Sequence, residues 1–459
     1  MAAMDVLAET ESLCPQCLAK IAAQIVTDNE QVYLEKECPH HGHYKTVIWR
    51  GAGHYLDWYR PPGPVKEPLR LTSIGRGCPY DCGLCPEHRQ NTCSVLMEVT
   101  HSCNLNCPVC YAASEDRSDF EPDINAIDDM YNTIVKSAGV PCPVQLTGGE
   151  PTLRDDLPDI VALGRKKGFS HIQIDTNGIR IAEDIDYLLR LKESGASVIF
   201  LQFDGVTDEV YKRIRGCDLW AMKLQAIENC SQARIGVILV PTLIPGINDS
   251  QIGEIIRLAK SWIPIVKGVH FQPISYFGRY PDNPGDEERI TIAEILTALR
   301  DQTEGELKLG SFVPPGCEDP HCSFSSFYVL AEDGELLPTT TFDPSRNSAL
   351  GFDWKRRPIA EHCRSFLEQK WRFPEQEIEQ FGEAGCSGPM CRSWLGFYQR
   401  AQIHYLTISG MAFQDVWSLD LQRLKRCCVH VVARDKKIVP FCAFYLTSIE
   451  GKRLYANTR

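Results

Sequence analysis

His101-Ser102-Cys103-Asn104-Leu105-Asn106-Cys107-Pro108-Val109-Cys110-Tyr111 sets three cysteines at C-x3-C-x2-C spacing just after the apolar run Val95–Val99. Thiolates so spaced can grip three corners of a cubane 4Fe–4S cluster and leave the fourth iron open to a small molecule. Zinc is the alternative, but zinc is ordinarily closed by four protein ligands. Outward from this loop the chain alternates. Runs at Val95–Val99, Val144–Leu146, Ile172–Ile174, Val198–Phe203, Ile235–Val240 and Val269–Phe271 read as strands. Amphipathic stretches at Ile124–Ala138, Leu157–Lys167, Asp184–Lys192 and Gln251–Trp262 read as the helices between them. Six strands with crossover helices predict an α/β fold, a parallel sheet either open or rolled into a partial (β/α)6 barrel. Ligands in such sheets sit at the carboxyl ends of the strands.

The 459 residues include 21 cysteines, and Lys+Arg 48 against Asp+Glu 60 gives a net charge of −12. Phosphate backbones are repelled on average, and only Lys355-Arg356-Arg357 and Arg423 to Arg426 concentrate positive charge, so no nucleic-acid partner is expected. A chain this long is not a small disulfide scaffold. The first ten residues carry neither a basic segment nor an apolar one. The longest apolar run, Ile235 to Ile247, is broken by Gly236, Pro241, Pro245 and Gly246 and is too short to span a bilayer. The expectation is a reducing, cytoplasmic setting with at most peripheral membrane contact, where clustered cysteines serve as metal ligands.

Those cysteines fall into groups. Cys14-Pro15-Gln16-Cys17 and Cys38-Pro39-His40-His41-Gly42 flank the strand-like Gln31–Lys36 and resemble the two knuckles of a rubredoxin or zinc ribbon. His41 stands where a fourth ligand belongs, with His40 and His43 as rivals, and the ion would be zinc or mononuclear iron. A metal compensates a module too small for a good core. Cys78, Cys82 and Cys85 repeat the C-x3-C-x2-C spacing. They are expected to hold an auxiliary cluster with Cys93, which could instead be a buried thiol. Past Val313-Pro314-Pro315-Gly316, the expected C-terminal set is Cys317, Cys322, Cys427 and Cys442, with Cys386 and Cys391 competing and buried free thiols as the alternative. The expected division is a metal module over 1–65, an auxiliary segment over 66–95, the barrel over 96–312 and a cysteine-rich substrate region over 313–459.

Cys103, Cys107, Cys110 and the aromatic Tyr111, with Gly148-Gly149-Glu150-Pro151 directly after Val144–Leu146, resemble the radical S-adenosylmethionine superfamily. The resemblance implies a partial barrel in which those cysteines hold a 4Fe–4S cluster. Its open iron would bind S-adenosylmethionine, whose reductive cleavage gives a 5′-deoxyadenosyl radical. It further implies that Gly148, Gly149 and Glu150 meet the methionine amine. Asn177, Gln202 and Asp204 would meet the ribose and carboxylate, and the edge around Gly236 the adenine. Taken as residues alone, Asn177 and Asp204 serve equally well as helix caps.

Over nearly the whole chain the order of motifs resembles the branch of tetraether lipid synthases and dihydropterin methyltransferases. Carrying that likeness are the N-terminal knuckles, the doubled cluster loop and the tail Ile438-Val439-Pro440-Phe441-Cys442. The branch implies one or two auxiliary 4Fe–4S clusters, a reductant such as flavodoxin or ferredoxin, and a lipid or pterin substrate. Radical coupling of alkyl chains is the leading expectation, with C-methylation of a dihydropterin as the alternative. A non-catalytic iron–sulfur electron-transfer protein comes third, because it would leave the three-cysteine loop and Gly148–Glu150 without a purpose. The aromatic tail (Trp394, Phe397, Tyr398, Tyr405, Phe413, Trp417) would suit an alkyl channel, although such residues more often form plain core.

Overall fold

Alternating side chains build the first module. β1 (Asp5–Leu13), β2 (Lys20–Asp28), β3 (Gln31–Cys38) and β4 (Gly42–Arg50) form an antiparallel meander in order β1-β2-β3-β4. The computed structural model describes residues 5–60, 65, 69–114, 120–342, 359–373 and 389–455. Asn29 and Glu30, both at positive φ, make the tight turn between β2 and β3. The two cysteine knuckles fall together at the opposite end of the sheet. Val32, Leu34 and Trp49 pack under it with Tyr55 and Trp58 of the helix Ala52–Trp58. Ser12 Oγ donates to the Leu419 carbonyl (2.5 Å), and the buried Lys36 ammonium donates to Ser12 Oγ and the Val416 carbonyl. On the other flank Arg50 bonds Glu294 at 2.8 Å. The module is thus fastened to both barrel and tail.

β5 (Ser94–Thr100), β6 (Val144–Gly148), β7 (Ile172–Thr176), β8 (Val198–Gln202), β9 (Gly236–Val240), the short β10 (Thr242–Leu243) and β11 (Val266–Pro273) follow. β5-β6-β7-β8-β9-β11 pair in parallel, the radical-enzyme barrel expected from the sequence, and β10 pairs beside β11. Helices Ile124–Ala138, Leu157–Lys166, Ile185–Glu193 and Ile252–Ser261 lie within a residue or two of their expected bounds. One strand face is aliphatic: Val144, Leu146, Ile172, Ile174, Ile199 and Leu201 pack into the core shared with the helices. The other face lines an interior space with Gln145, Thr147, Asp175, Phe200 and Gln202. Strands of a parallel sheet buried on both faces usually read as unbroken apolar runs. The polar residues set into these strands mark the lumen.

The tail does more than carry cysteines. β12 (Ser323–Leu330), β13 (Leu336–Pro338), β14 (Tyr405–Met411), β15 (Val429–Val432) and β16 (Ile438–Pro440) extend the sheet at both edges. β14 pairs in parallel with β11, and β12 and then β13 add antiparallel beyond it. At the far edge β15 pairs in parallel with β5, and β16 with β15. Sequence periodicity stopped the sheet at six strands. β15 and β16 are too short to show a period, and β15 joins the sheet through β5, more than 300 residues earlier. Among the described residues no helix is long and apolar enough to cross a membrane.

Candidate functional site

The carboxyl ends of the barrel strands surround a cavity of about 870 Å³ lined by Cys103, Cys107, Cys110 and Tyr111. The cluster loop is held from three sides. Cys110 and Arg279 exchange backbone hydrogen bonds (2.9 and 3.0 Å), while the Arg279 guanidinium donates to the Cys107 and Ser114 carbonyls. Tyr111 Oη lies 2.9 Å from Thr147 Oγ1 on β6. The pair Gly148-Gly149 follows from close approach. A Cβ on Gly148 would lie 2.0 Å from the Thr100 carbonyl oxygen, and one on Gly149 2.1 Å from that of Ser102. The glycine backbone is pressed against the root of the loop, where Gly149 N and Glu150 N donate to those same carbonyls at 2.7 and 2.8 Å. Gly148 also sits at φ 129°, which favours glycine.

Glu150 is 1% exposed. Its Oε1 accepts from Thr152 N, Thr152 Oγ1 and Thr176 Oγ1, and its Oε2 from Asn177 N at 2.6 Å. It ties the end of β6 to the end of β7, and one lone pair on Oε2 is left for a donor in the cavity. Asn177 also lines the cavity, but its Nδ2 donates to Asn104 Oδ1 (2.7 Å) and its Oδ1 accepts from Ile179 N, the local turn role weighed against ribose binding. Gln202 lines the wall with its amide held by Asp204 and by Lys223 Nζ (3.0 Å).

Two expected cofactor residues lie off the cavity wall. Asp204 is fully buried and grips Arg215 through both carboxylate oxygens, at 2.7 and 2.8 Å. Arg215, which the sequence reading missed, is the residue that reaches the cavity. Burial opposes its charge, but Asp204 keeps the guanidinium firmly protonated. Lys223 was missed as well. It is fully buried, donates to the Asn177 carbonyl at 2.5 Å, and burial lowers it to about 7. A cation near a helix end was the sole signal for Arg215, and Lys223 had none. Gly236 begins β9 and packs under the Trp371 backbone, at the amino end of the sheet. The β9 residue level with Gln202 is Val240, which does line the cavity. The adenine expectation fails at Gly236 because the apolar run was read from the wrong end.

At the N-terminal knuckles Cys14, Cys17, Cys38 and His41 bring one ligand atom each within 4.8 Å of the others. His41 Nδ1 lies 3.5 Å from Cys14 Sγ and 3.4 Å from Cys38 Sγ. A tetrahedral zinc with bonds of about 2.3 Å to sulfur and about 2.0 Å to nitrogen sets that edge near ~3.5 Å. His40 is exposed, and His43 is turned outward to Glu35. The rivalry resolves to His41.

A second thiol group is one the sequence did not assemble. Cys93, Cys317 and Cys428 form a buried trio within 4.8 Å, with Cys363 packed against it. The register is the reason: β15 pairs Val429 with Ser94, which carries Cys428 beside Cys93. Cys93 therefore leaves the set expected with Cys78, Cys82 and Cys85, and Cys317 leaves the set expected with Cys322, Cys427 and Cys442. Cys93 and Cys317 are in contact, but their Cα atoms are 7.7 Å apart, beyond the usual reach of a disulfide, and a third thiol shares the site. The three sulfur atoms are close enough to one another to share a metal. Cys93, Cys363, Cys428 and Glu318 also line the large cavity.

Cys78, Cys82 and Cys85 surround a small separate pocket together with His88, whose Nε2 has no partner. Asp81 shapes this loop by accepting from Gly75, Arg76 and Gly77 N at 2.6–2.7 Å. Burial, then the nearby Cys442 thiol, pushes Cys427 well up, but among the described residues Cys322, Cys427 and Cys442 do not form a group within metal-sharing reach. Cys386 lies outside the described residues. Of the tail aromatics, Phe413 lines the cavity, while Tyr405 and Trp417 are buried elsewhere and Tyr398 is exposed. They form no continuous alkyl channel among the described residues.

Residues 97–259 match the Radical SAM superfamily, and residues 6–50 match the HMPTM N-terminal zinc ribbon domain. The chain is 35% identical to a 7,8-dihydro-6-hydroxymethylpterin dimethyltransferase of Methanocaldococcus jannaschii over 95% of this chain and 93% of that protein. A probable GTP 3′,8-cyclase of Archaeoglobus fulgidus is 26% identical over 59% of this chain and 91% of its own length. Among solved structures, Streptococcus suis SuiB bound to its precursor peptide SuiA aligns with a TM-score of 0.36 at 16% identity, covering 47% of this chain and 46% of that one.

Proposed function

We propose that this chain, which belongs to the radical S-adenosylmethionine superfamily, methylates a ring carbon of a dihydropterin. The observation that carries the reading is the 35% identity over 95% of the chain to a pterin dimethyltransferase, zinc ribbon included. Gln145, Thr147, Asp175 and Gln202, on one wall of an otherwise largely apolar cavity, add hydrogen-bonding groups that a heterocycle can use and an alkyl chain cannot. Coupling of alkyl chains, the leading expectation from sequence, has no comparable support.

The donor set fits the implied cofactors: three thiols on one loop, open to a cavity on the side of Gly148–Glu150. When bound, the cluster and S-adenosylmethionine supply a 5′-deoxyadenosyl radical able to take hydrogen from an unreactive C–H bond. Cys103, Cys107 and Cys110 would hold the cluster, and Arg279 keeps their loop in place. Arg215, oriented by Asp204, would hold the cofactor carboxylate, and the free lone pair of Glu150 would accept from its amine. Lys223 fixes Asn177 and Gln202 from behind. Cys93, Cys317 and Cys428, with Cys363 adjacent, would hold an auxiliary cluster on the cavity wall. Cys78, Cys82 and Cys85 would hold another, with His88 rather than Cys93 in the fourth position. Zinc in the ribbon is structural, and a flavodoxin or ferredoxin delivers the electron.

Because cleavage to 5′-deoxyadenosine leaves the methyl group on methionine, reconstituted, reduced protein is given S-adenosylmethionine in excess, as radical source and as separate methyl donor, with 6-hydroxymethyl-7,8-dihydropterin, and should yield 5′-deoxyadenosine together with a pterin heavier by one or two methylene units. Cofactor cleavage with an unaltered pterin, and coupled chains in lipid extracts of expressing cells, would replace this reading by the alkyl one.

A further inference from the structure

Several carboxylates packed inside this protein are answered by cations. Asp204 holds Arg215, Asp415 holds Arg289 at 2.8 Å, and Glu98 meets His101 at 2.9 Å. Among the described residues Asp175, like Glu150, has no such partner. It projects from β7 into the cavity, and among the described residues no cationic side chain pairs with it. Its companions are neutral: Gln173 Nε2 donates to Oδ1 at 2.8 Å, and Thr147 lies beside it. Burial and the nearby Glu150 raise its pKa to about 7. A secluded carboxylate without a counter-charge is costly. A carboxylate has about four acceptor positions, and these companions leave part of that capacity facing the cavity.

The surroundings suit a flat ligand. Phe200 is the register partner of Asp175 on β8 and also lines the cavity. The Trp371 ring stacks on it with centroids 5.7 Å apart at 28°. Phe200 and Trp371 together form an aromatic wall of the cavity. An aromatic wall on one side and a carboxylate with spare acceptor positions on the other are the complement of a planar nitrogen heterocycle with two adjacent N–H donors.

We infer that Asp175 is a specificity-determining residue that accepts the paired ring N–H and exocyclic amino hydrogens of an aminopyrimidinone edge, with the ring lying against Phe200 and Trp371. This deepens, and rests on, the pterin reading above. A site built to accept two hydrogen bonds rejects an analogue lacking one of them, because its own acceptor is then left buried and unpaired.

The test uses cluster-loaded protein with S-adenosylmethionine and no reductant, so that nothing turns over. Equilibrium binding is measured for 6-hydroxymethyl-7,8-dihydropterin and for its 2-desamino analogue. Wild type is expected to prefer the amino compound by roughly 10- to 100-fold. Asp175→Asn keeps the shape but turns an acceptor into a donor. It should bind the amino compound about as weakly as wild type binds the analogue, with analogue affinity unchanged. Equal wild-type affinity for the two compounds overturns the inference without any variant. So does Asp175→Asn if it retains the preference, or if it loses both compounds alike, which would mark a structural role. Failure of wild type to bind either pterin removes the pterin reading itself, and this inference with it.

Discussion

The ribbon and the buried trio hold thiols in opposite ways. Cys14, Cys17, Cys38 and His41 lie on two turns of one small meander, and the local chain alone brings them together. Cys93 and Cys317 are 224 residues apart, and Cys428 joins them because β15 lies alongside β5. A local site is a property of its segment. A long-range site is a property of the finished sheet, so its loss should reach further.

The largest expected effect separates the radical loop from the trio. Cys107→Ala should abolish 5′-deoxyadenosine formation, and Cys428→Ala should retain it while stopping pterin methylation. Each should lose about four irons, one cubane. If Cys428→Ala cleaves no cofactor, the trio is not separable from the radical site. Next, Cys428→Ala should free the tail edge, so that limited proteolysis cuts between β14 and β15 faster than in Cys14→Ala protein. Equal cutting would erase the contrast between local and long-range sites.

Within the ribbon, His41→Ala should surrender its metal to a chelator at lower concentration and melt earlier. His43→Ala, an exposed change, should stay within about 0.5 kcal/mol of the parent. At the cavity, Glu150→Gln should weaken S-adenosylmethionine by roughly 1.5–3 kcal/mol, or 10- to 100-fold, with the cluster retained. Unchanged affinity would reduce Glu150 to the clamp between β6 and β7.

The smallest effect is on stability. The folded pKa of Asp175, about 7, lies above its unfolded value, so the native state keeps the proton more firmly. Stability therefore falls as pH rises from about 4 to about 7, and the penalty is complete above that range. Asp175→Asn should remove this component and raise the melting temperature slightly at pH 8 but not at pH 4. A variant equally shifted at both would show that the carboxylate is not what costs stability.

Legibility followed the same divide. The barrel strands could be read because each repeats an apolar face, and the radical loop because its ligands are four and three residues apart. His41 needed only a knuckle and its neighbours. Cys93 was misplaced because spacing linked it to Cys85, whereas the β5–β15 register links it to Cys428. Arg215 and Lys223 were invisible since their roles depend on a helix face turned toward Asp204 and Asn177. Polar residues within the strands were visible throughout, as Gln173 and Asp175 in Ile172–Thr176, but only a closed lumen gives them meaning.

The pairing of β15 with β5 also sets an order of events in the cell. Translation adds about 5–20 residues per second, so Cys93 waits on the order of half a minute for Cys428 to be made. Throughout that interval β5 is an open strand edge, the kind of surface that pairs with other chains. The ribbon and the radical loop are each complete within a short stretch of chain, while the trio comes together only once Cys428 has been made. Chains still short of β15 are therefore the ones that need protection at one particular edge, that of β5.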